Sequence, residues 1–183
     1  MNEQLEFIRL IGARLESVGI PYMLTGSMAM AFYSMPRMTR DIDLIIEVGR
    51  ADADKIYNLF SKDCYIDQDA VREAIDRHAM FNVIHNEWVI KADFIVRKNE
   101  EYRIEEFSRR QKVSVGDITI FVASAEDLIL SKLIWGGSSQ SDLQFNDVRQ
   151  IISSLPKLDW PYLEKWAVIL GIDTVLGKAT ENG

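Results

Sequence analysis

The stretch Leu24-Thr25-Gly26-Ser27, separated by thirteen residues from Asp41-Ile42-Asp43-Leu44, decides the fold of this 183-residue chain. Gly26-Ser27 forms a turn between a strand and a helix, where backbone N–H groups can bind a phosphate group. Side chains two residues apart on a strand point to the same face, so Asp41 and Asp43 form a pair of carboxylates. Carboxylates and phosphate oxygens are typical Mg²⁺ ligands. The stretch therefore predicts a phosphate site and a metal site side by side.

The composition indicates one compact domain and excludes several classes of function. Hydrophobic residues make up 48% of the chain and charged residues 27%, as in proteins that bury a core. The apolar stretches are too short for a transmembrane helix and the acidic start does not resemble a signal peptide, so we expect no membrane partner and a cytoplasmic location. The single cysteine, Cys64, cannot form an internal disulfide. A net charge of −7 argues against a protein that coats nucleic acid.

Hydrophobic periodicity predicts an α+β protein with a helical C-terminal part. The predicted helices cover residues 3–18, 28–34, 52–60, 68–77, 101–107, 124–137, 141–154 and 160–170. The predicted strands cover residues 21–24, 41–48, 80–85, 87–96, 112–115 and 118–122, with tight turns at Asn86 and at Gly116-Asp117. We expect a core over residues 1–123 and a helical part over residues 124–183 that packs on it as one compact unit.

A third carboxylate, Asp93, lies within the otherwise apolar strand segment Val89–Val96. If this strand lies beside the strand of Asp41 and Asp43, the three acids can share a divalent ion, or Asp93 can act as a general base on an acceptor hydroxyl. Simpler interpretations remain for the same residues: a helix cap for Ser27, an ion pair with Arg40 for Asp41 and a salt bridge with Lys91 for Asp93.

These segments resemble the signature of the DNA polymerase beta-type nucleotidyltransferase superfamily: Gly-Gly or Gly-Ser after a hydrophobic residue, a similar gap, Asp-x-Asp, and a later carboxylate on a strand. The segment from Pro36 to Asp43, with the order Arg-x-Thr-x-Asp-x-Asp, is more closely similar to minimal bacterial members, including the abortive-infection (AbiEii-like) toxins. Residues 125–133 and 141–148 also resemble such members. The resemblance covers about residues 20 to 152. It implies a polymerase beta-like mixed sheet flanked by helices, with a C-terminal helical extension.

The resemblance implies transfer of a nucleoside monophosphate from an NTP to an acceptor hydroxyl, with release of pyrophosphate. Asp41, Asp43 and Asp93 would be the catalytic residues and the metal ligands. The expected cofactor is Mg²⁺, as two ions, with Mn²⁺ as an alternative. Asp93 would also help to deprotonate the acceptor.

The resemblance further implies that Gly26, Ser27, Arg37 and Lys132 bind the nucleotide, with Ser27 at the β- or γ-phosphate and Lys132 at the triphosphate. Thr39 and Asp147 would support the site, Asp147 by orienting Lys132. The residues taken alone leave other interpretations: an exposed helix lysine for Lys132, a contact with Arg149 for Asp147 and an ion pair with a separate acid for Arg37.

The sequence does not identify the acceptor of the nucleoside monophosphate. RNA such as tRNA, a protein and a cationic small molecule of the aminoglycoside type are the alternatives, and the acidic composition suits the last. Trp135-Gly136-Gly137 stands where nucleic-acid-acting members often carry basic residues, which weakens tRNA as the acceptor. The resemblance to toxins implies an antitoxin protein as a partner. A non-catalytic or antitoxin-like nucleotide-binding module is the alternative from another class.

Overall fold

The computed structural model describes residues 3–35, 39, 41–116, 118–139 and 142–180. Its α-helices are α1 (Glu3–Ser17), α2 (Gly26–Met30), α3 (Ala53–Phe60), α4 (Gln68–Arg77), α5 (Glu101–Ser108), α6 (Ala125–Ser139), α7 (Asp142–Ser154), α8 (Trp160–Leu170) and α9 (Asp173–Thr180), with a short 3₁₀ helix at Arg50–Asp52. Its strands are β1 (Tyr22–Thr25), β2 (Ile42–Ile46), β3 (Cys64–Ile66), β4 (Met80–His85), β5 (Lys91–Val96), β6 (Gln111–Val115) and β7 (Ile118–Val122).

The strands of the described residues form one seven-stranded mixed sheet in the order β3-β4-β5-β2-β1-β7-β6. β2 pairs parallel with β5 and antiparallel with β1, and β1 pairs parallel with β7. The other neighbours, β3–β4, β4–β5 and β6–β7, are antiparallel. This confirms the predicted α+β class and places the strand of Asp93 directly beside the strand of Asp43.

The two faces of the central strands differ in polarity because apolar and polar residues alternate along them. Ile42, Leu44 and Ile46 of β2 point into the main core, as do Ala92 and Phe94 of β5. The opposite face carries the acidic residues and a small separate cluster of Met23, Ile45, Phe107 and Ala123. The main core continues without interruption into α6 to α9. No described helix is long and apolar enough to cross a membrane.

Helix ends follow the local chemistry of capping side chains and glycine. Gly19, after α1, has a positive φ of 71°, which a glycine adopts without strain. The carboxylate of Asp159 accepts a hydrogen bond from the Tyr162 backbone N–H at 3.1 Å and caps α8. Gly171 ends that helix with a φ of 69°. Gly19 and Asp159 are identifiable from the sequence as helix ends because their effect is local.

Several predicted boundaries are wrong. The helix after the Gly-Ser turn is α2, which begins at Gly26 and ends at Met30 rather than covering 28–34. The predicted strand 87–96 begins only at Lys91, because a turn that includes Val89 at a φ of 52° precedes it. Helix α6 continues past Gly136-Gly137 to Ser139, although glycine has a low helix propensity.

Strand β3 and helix α9 were not predicted. Strand β3 is three residues long and, among the described strands, pairs with β4 alone, at the edge of the sheet. Such a short segment carries no hydrophobic periodicity. Helix α9 packs against α7 and α8 with Leu176 and Ala179 buried. It extends the helical part beyond the last predicted element.

Candidate active site

A row of polar side chains crosses four adjacent strands on one face of the sheet. Thr25 of β1 lies opposite Asp43 of β2, Asp43 lies opposite Asp93 of β5, and Asp93 lies opposite Asn82 of β4. Residues directly opposite one another on paired strands point to the same face. The register therefore brings Asp43 and Asp93 together, although fifty residues separate them in the sequence.

The surroundings of Asp43 disfavour the charged form of its carboxyl group. Burial raises its pKa to about 6, and the negative charges of Asp93 and Asp41 add to this effect. Lys91 and Lys132 act in the opposite direction but do not compensate. A carboxylate in these surroundings is stabilised when a cation approaches, because the cation offsets both the lost hydration and the repulsion between the acids.

Gly26 leaves the space that Asp43 occupies. Its φ is 65°, a backbone conformation that side-chain-bearing residues rarely adopt. A β-carbon at this position would overlap with Oδ2 of Asp43 and would lie 2.8 Å from its Cγ. The turn thus requires glycine twice, once for its backbone conformation and once for the close approach of the aspartate.

Asp93 is held by two donors. Nζ of Lys91 lies 2.9 Å from Asp93 Oδ2, and the side-chain amide of Asn82 donates to Oδ1. The same ammonium group lies 3.4 Å from Oδ1 of Asp41, which is exposed just before β2. The hydrogen bond to Asp93 raises the pKa of Lys91. The simpler interpretation of Asp93, an ion pair with Lys91, therefore describes a contact that is present.

Lys132 of α6 is buried, which rules out its interpretation as an exposed helix lysine. Its Nζ lies 2.6 Å from Oδ2 of Asp147 and 3.2 Å from Oε1 of Gln144, both on α7. Asp147 is buried as well, so the two charges compensate each other away from water. This contact is the one expected if Asp147 orients Lys132.

A second buried polar cluster fixes α6 against α5. Ser131 donates its hydroxyl to Oε1 of Glu106 at 2.6 Å, and Arg103 forms an ion pair with Oε2 of Glu106 at 2.8 Å. Arg103 also donates to Ser131 at 2.8 Å. Because Ser131 precedes Lys132, this cluster sets the height and rotation at which Lys132 faces the sheet.

The polar row and Lys132 line one cavity of about 300 Å³. Trp135, which is 64% exposed, lies at its edge and also lines a smaller neighbouring cavity of about 110 Å³. The lining residues of the larger cavity are Thr25, Gly26, Ser27, Asp43, Met80, Asp93, Ile95, Leu128, Ser131, Lys132, Trp135 and Gln144. A space of this size, with acids on one side and a lysine on the other, suits a phosphorylated ligand.

The structure brings most predicted site residues to this cavity. Gly26, Ser27, Asp43, Asp93 and Lys132 line it. Asp41 and Asp147 contact Lys91 and Lys132, respectively. The backbone oxygen of Thr39 accepts a hydrogen bond from Gln4, and Arg37 and Arg40 lie outside the described residues. Ser27 is not the cap of α2, since the helix starts one residue earlier with Thr25 at that position.

Sequence reasoning missed Asn82, Gln144 and the cavity position of Trp135. Asn82 was detectable in principle, because Met80, Asn82 and Ile84 alternate with buried Phe81 and Val83. Its position opposite Asp93 depends on the register of the β4–β5 hairpin. Gln144 has no comparable sequence signal.

The carboxylates do not form a closed metal cage. Among the described residues, no group of three or more His, Cys, Asp or Glu side chains is arranged to hold a metal ion. Asp43 and Asp93 are adjacent, whereas the ammonium group of Lys91 lies between Asp93 and Asp41. The donor set itself fits Mg²⁺, because all three groups offer carboxylate oxygens and two of them, Asp41 and Asp93, already attract the ammonium group of Lys91.

Comparison with solved structures identifies the architecture. A nucleotidyltransferase candidate of Thermotoga maritima, TM1012, is 20% identical, with a TM-score of 0.55 over 75% of this chain and 88% of that chain. ANT(2″)-Ia in complex with adenylyl-2″-tobramycin is 13% identical, with a TM-score of 0.60 over 93% and 98% of the two chains. The chain has the nucleotidyltransferase fold.

A third match extends the comparison. The lincosamide antibiotic adenylyltransferase LnuA, in its lincomycin-bound form, is 13% identical, with a TM-score of 0.56 over 85% of this chain and 98% of that chain. No protein-family model and no curated protein matches the sequence. The nucleotidyltransferase fold is therefore shared with proteins of very different sequence, and the polymerase beta-like sheet expected from the signature is confirmed.

Proposed function

We propose that this protein is a metal-dependent nucleotidyltransferase that moves a nucleoside monophosphate from an NTP to an acceptor hydroxyl. The observation that carries the proposal is the placement of Asp43 and Asp93 side by side in one cavity, opposite Lys132 and beside the Gly26-Ser27 turn. This arrangement offers negative charge for a cation and positive charge for a polyphosphate at a short distance from each other. The nucleotidyltransferase fold of the neighbours agrees with it.

The reaction needs one bond to form and one to break. The acceptor oxygen attacks the α-phosphorus, and the bond from the α-phosphorus to the oxygen that bridges to the β-phosphate breaks. Pyrophosphate leaves with the electron pair of that bond. The proton of the acceptor hydroxyl passes to Asp93, which lies in the cavity.

The chain's own residues bind and orient the nucleotide. The buried ammonium group of Lys132 would contact the triphosphate and neutralise charge that develops on the leaving pyrophosphate. Ser27 and the backbone at Gly26 would hold the phosphate end, and Trp135 offers an aromatic surface at the edge of the cavity. Arg37 would add a further phosphate contact.

Asp41, Asp43 and Asp93 would hold Mg²⁺, or Mn²⁺ in its place. When bound, the ion would polarise the phosphate oxygens and offset negative charge on the transferred group. The raised pKa of Asp43 supports a cation at this position.

For the acceptor, we infer a small hydroxyl-bearing molecule as the first class to test. Two neighbours with TM-scores above 0.5 are an adenylyltransferase with bound lincomycin and a protein in complex with adenylyl-2″-tobramycin. The net charge of −7 favours a cationic acceptor of the aminoglycoside type over RNA. RNA or protein modification by an AbiEii-like toxin, with an antitoxin as its partner, is the second class and rests on the Arg-x-Thr-x-Asp-x-Asp segment.

Label transfer from α-³²P-labelled NTPs would test the proposal. The protein is incubated with each NTP and Mg²⁺, together with an aminoglycoside, a lincosamide, bulk tRNA or a bacterial lysate, and both pyrophosphate and labelled product are measured. We expect release of pyrophosphate with one acceptor class. Binding of an NTP without turnover on any acceptor would favour the non-catalytic module instead.

Matched variants make this experiment specific. Asp43→Asn should abolish transfer, whereas Asp69→Asn should not, because Asp69 is an acid on α4 that is 95% exposed and does not line the cavity. Growth arrest on expression in bacteria, relieved by Asp41→Ala, would favour the toxin role over an antibiotic acceptor.

A further inference from the structure

Lys91 is the cation that the structure itself places among the acids. Its Nζ lies 2.9 Å from Asp93 Oδ2 and 3.4 Å from Asp41 Oδ1, so one ammonium group bridges two of the three carboxylates. The remaining oxygen of Asp93 accepts from Asn82. Both oxygens of Asp93 are therefore already engaged by side chains of the chain.

Asp43 is in a different situation from Asp93. No described lysine, arginine or histidine forms an ion pair with it, and Lys132 is directed to Asp147 instead. Gly26 lies directly against its carboxylate, where a β-carbon would overlap with Oδ2, and the cavity reaches Asp43. Of the three acids, Asp43 is the one whose charge no described side chain neutralises in an ion pair.

We propose that the ammonium group of Lys91 serves as one of the two cations of this site, so that the chain binds a single divalent ion, through Asp43, where the sequence resemblance implied two. This inference rests on the proposed function and deepens it. Three carboxylates and one lysine leave two negative charges, which one divalent ion neutralises. A second ion between Asp41 and Asp93 would have to displace Lys91 or approach its positive charge, which weakens binding by roughly tenfold or more.

The position of Lys91 makes the inference testable. Its side chain is 39% exposed, so a methionine of similar length replaces it without a buried cavity. Lys91→Arg keeps the charge. Lys98→Met removes the same charge from a lysine that contacts Glu100 outside the acid cluster, so it controls for the change in net charge.

The experiment is a Mn²⁺ titration followed by electron paramagnetic resonance, in which bound Mn²⁺ leaves the signal of the free ion. We expect one bound Mn²⁺ per wild-type chain and per Lys91→Arg or Lys98→Met chain, none in Asp43→Asn, and two in Lys91→Met. Circular dichroism checks that each variant is folded.

Each outcome decides the inference. Two ions of similar affinity in the wild type, or one ion in folded Lys91→Met, overturn it. If the wild type transfers label and binds two ions, only this inference fails and the proposed function stands. If the wild type binds no Mn²⁺ and transfers no label, both fail.

Discussion

Gly26 and Asp43 are in such close contact that any β-carbon on the glycine would overlap with the carboxylate of the aspartate. The overlap cannot be relieved by rotation of the carboxylate alone, because Cβ of Asp43 would also lie only 3.1 Å from the added carbon. The turn that is expected to hold phosphate and the acid that is expected to hold the metal ion therefore share one space. A change in either displaces the other.

Gly26→Ala should abolish nucleotidyl transfer and lower the free energy of unfolding by about 1–3 kcal/mol, from backbone strain and from the displaced Asp43. Gly19→Ala is the matched control, since Gly19 also has a positive φ but has no atom within 4 Å of an added β-carbon. It should cost about 1 kcal/mol and leave activity intact. Urea unfolding and label transfer measure the two effects. Full activity in Gly26→Ala would contradict the proposed role of this turn.

Ionisation of Asp43 should make stability depend on pH. Its pKa is about 6 in the folded chain and near 3.8 when unfolded, so the folded chain holds this proton more tightly. Its contribution therefore favours folding below pH 4 and is lost as the pH rises from about 4 to 6. Asp43→Asn removes this loss and should be more stable than the wild type by about 1–3 kcal/mol at pH 7.5, with little difference at pH 4. Urea unfolding at both pH values measures this.

Substitution of the neighbouring acid, Asp93, should have the opposite effect on stability from substitution of Asp43. Asp93→Asn removes the charge that pairs with Lys91 and leaves one oxygen where Lys91 and Asn82 now use two, so it should lower the free energy of unfolding at pH 7.5. Equal effects of Asp43→Asn and Asp93→Asn on the free energy of unfolding would show that neighbouring side chains stabilise the two carboxylates to the same extent. Measurements without divalent ions keep metal binding out of the comparison.

The contrast between these two acids marks the limit of prediction from the sequence. From the sequence, a shared site of Asp43 and Asp93 depends on their strands being neighbours, because both acids interrupt apolar strands. The residue of β4 that lies opposite Asp93 was not predicted correctly, because a turn centred on Asn86 would place Ala79 there. The observed turn is longer and places Asn82 there instead. Register depends on the exact turn length, which composition does not determine.

Lys132 shows a second kind of limit. Its helix was predicted, but a lysine on a helix is usually exposed. Burial of Lys132 depends on α7, which places Asp147 and Gln144 beside it. Tertiary contacts of this kind are visible in the sequence only through the resemblance to other proteins.

Trp135→Ala should weaken NTP binding with little effect on stability. The indole is 64% exposed and lines the cavity, so its loss removes contact area for a ligand and little from the core. We expect a several-fold increase of KM for the NTP with kcat less affected, because stacking acts on the bound ground state and transition state alike. Ile169→Ala on α8, also exposed, is the control that should leave KM unchanged. An unchanged KM in Trp135→Ala would place the nucleotide elsewhere in the cavity.

Asp147→Asn should be among the most destabilising single substitutions in the chain. It leaves the buried ammonium group of Lys132 without the carboxylate at 2.6 Å, which typically costs about 3–5 kcal/mol. The double variant Lys132→Met with Asp147→Leu removes both charges and should recover much of that loss, although it should be inactive because Lys132 is gone. Urea unfolding of the two variants and the wild type separates these effects. If Asp147→Asn and the double variant are equally unstable, Asp147 acts through packing and not through the charge of Lys132.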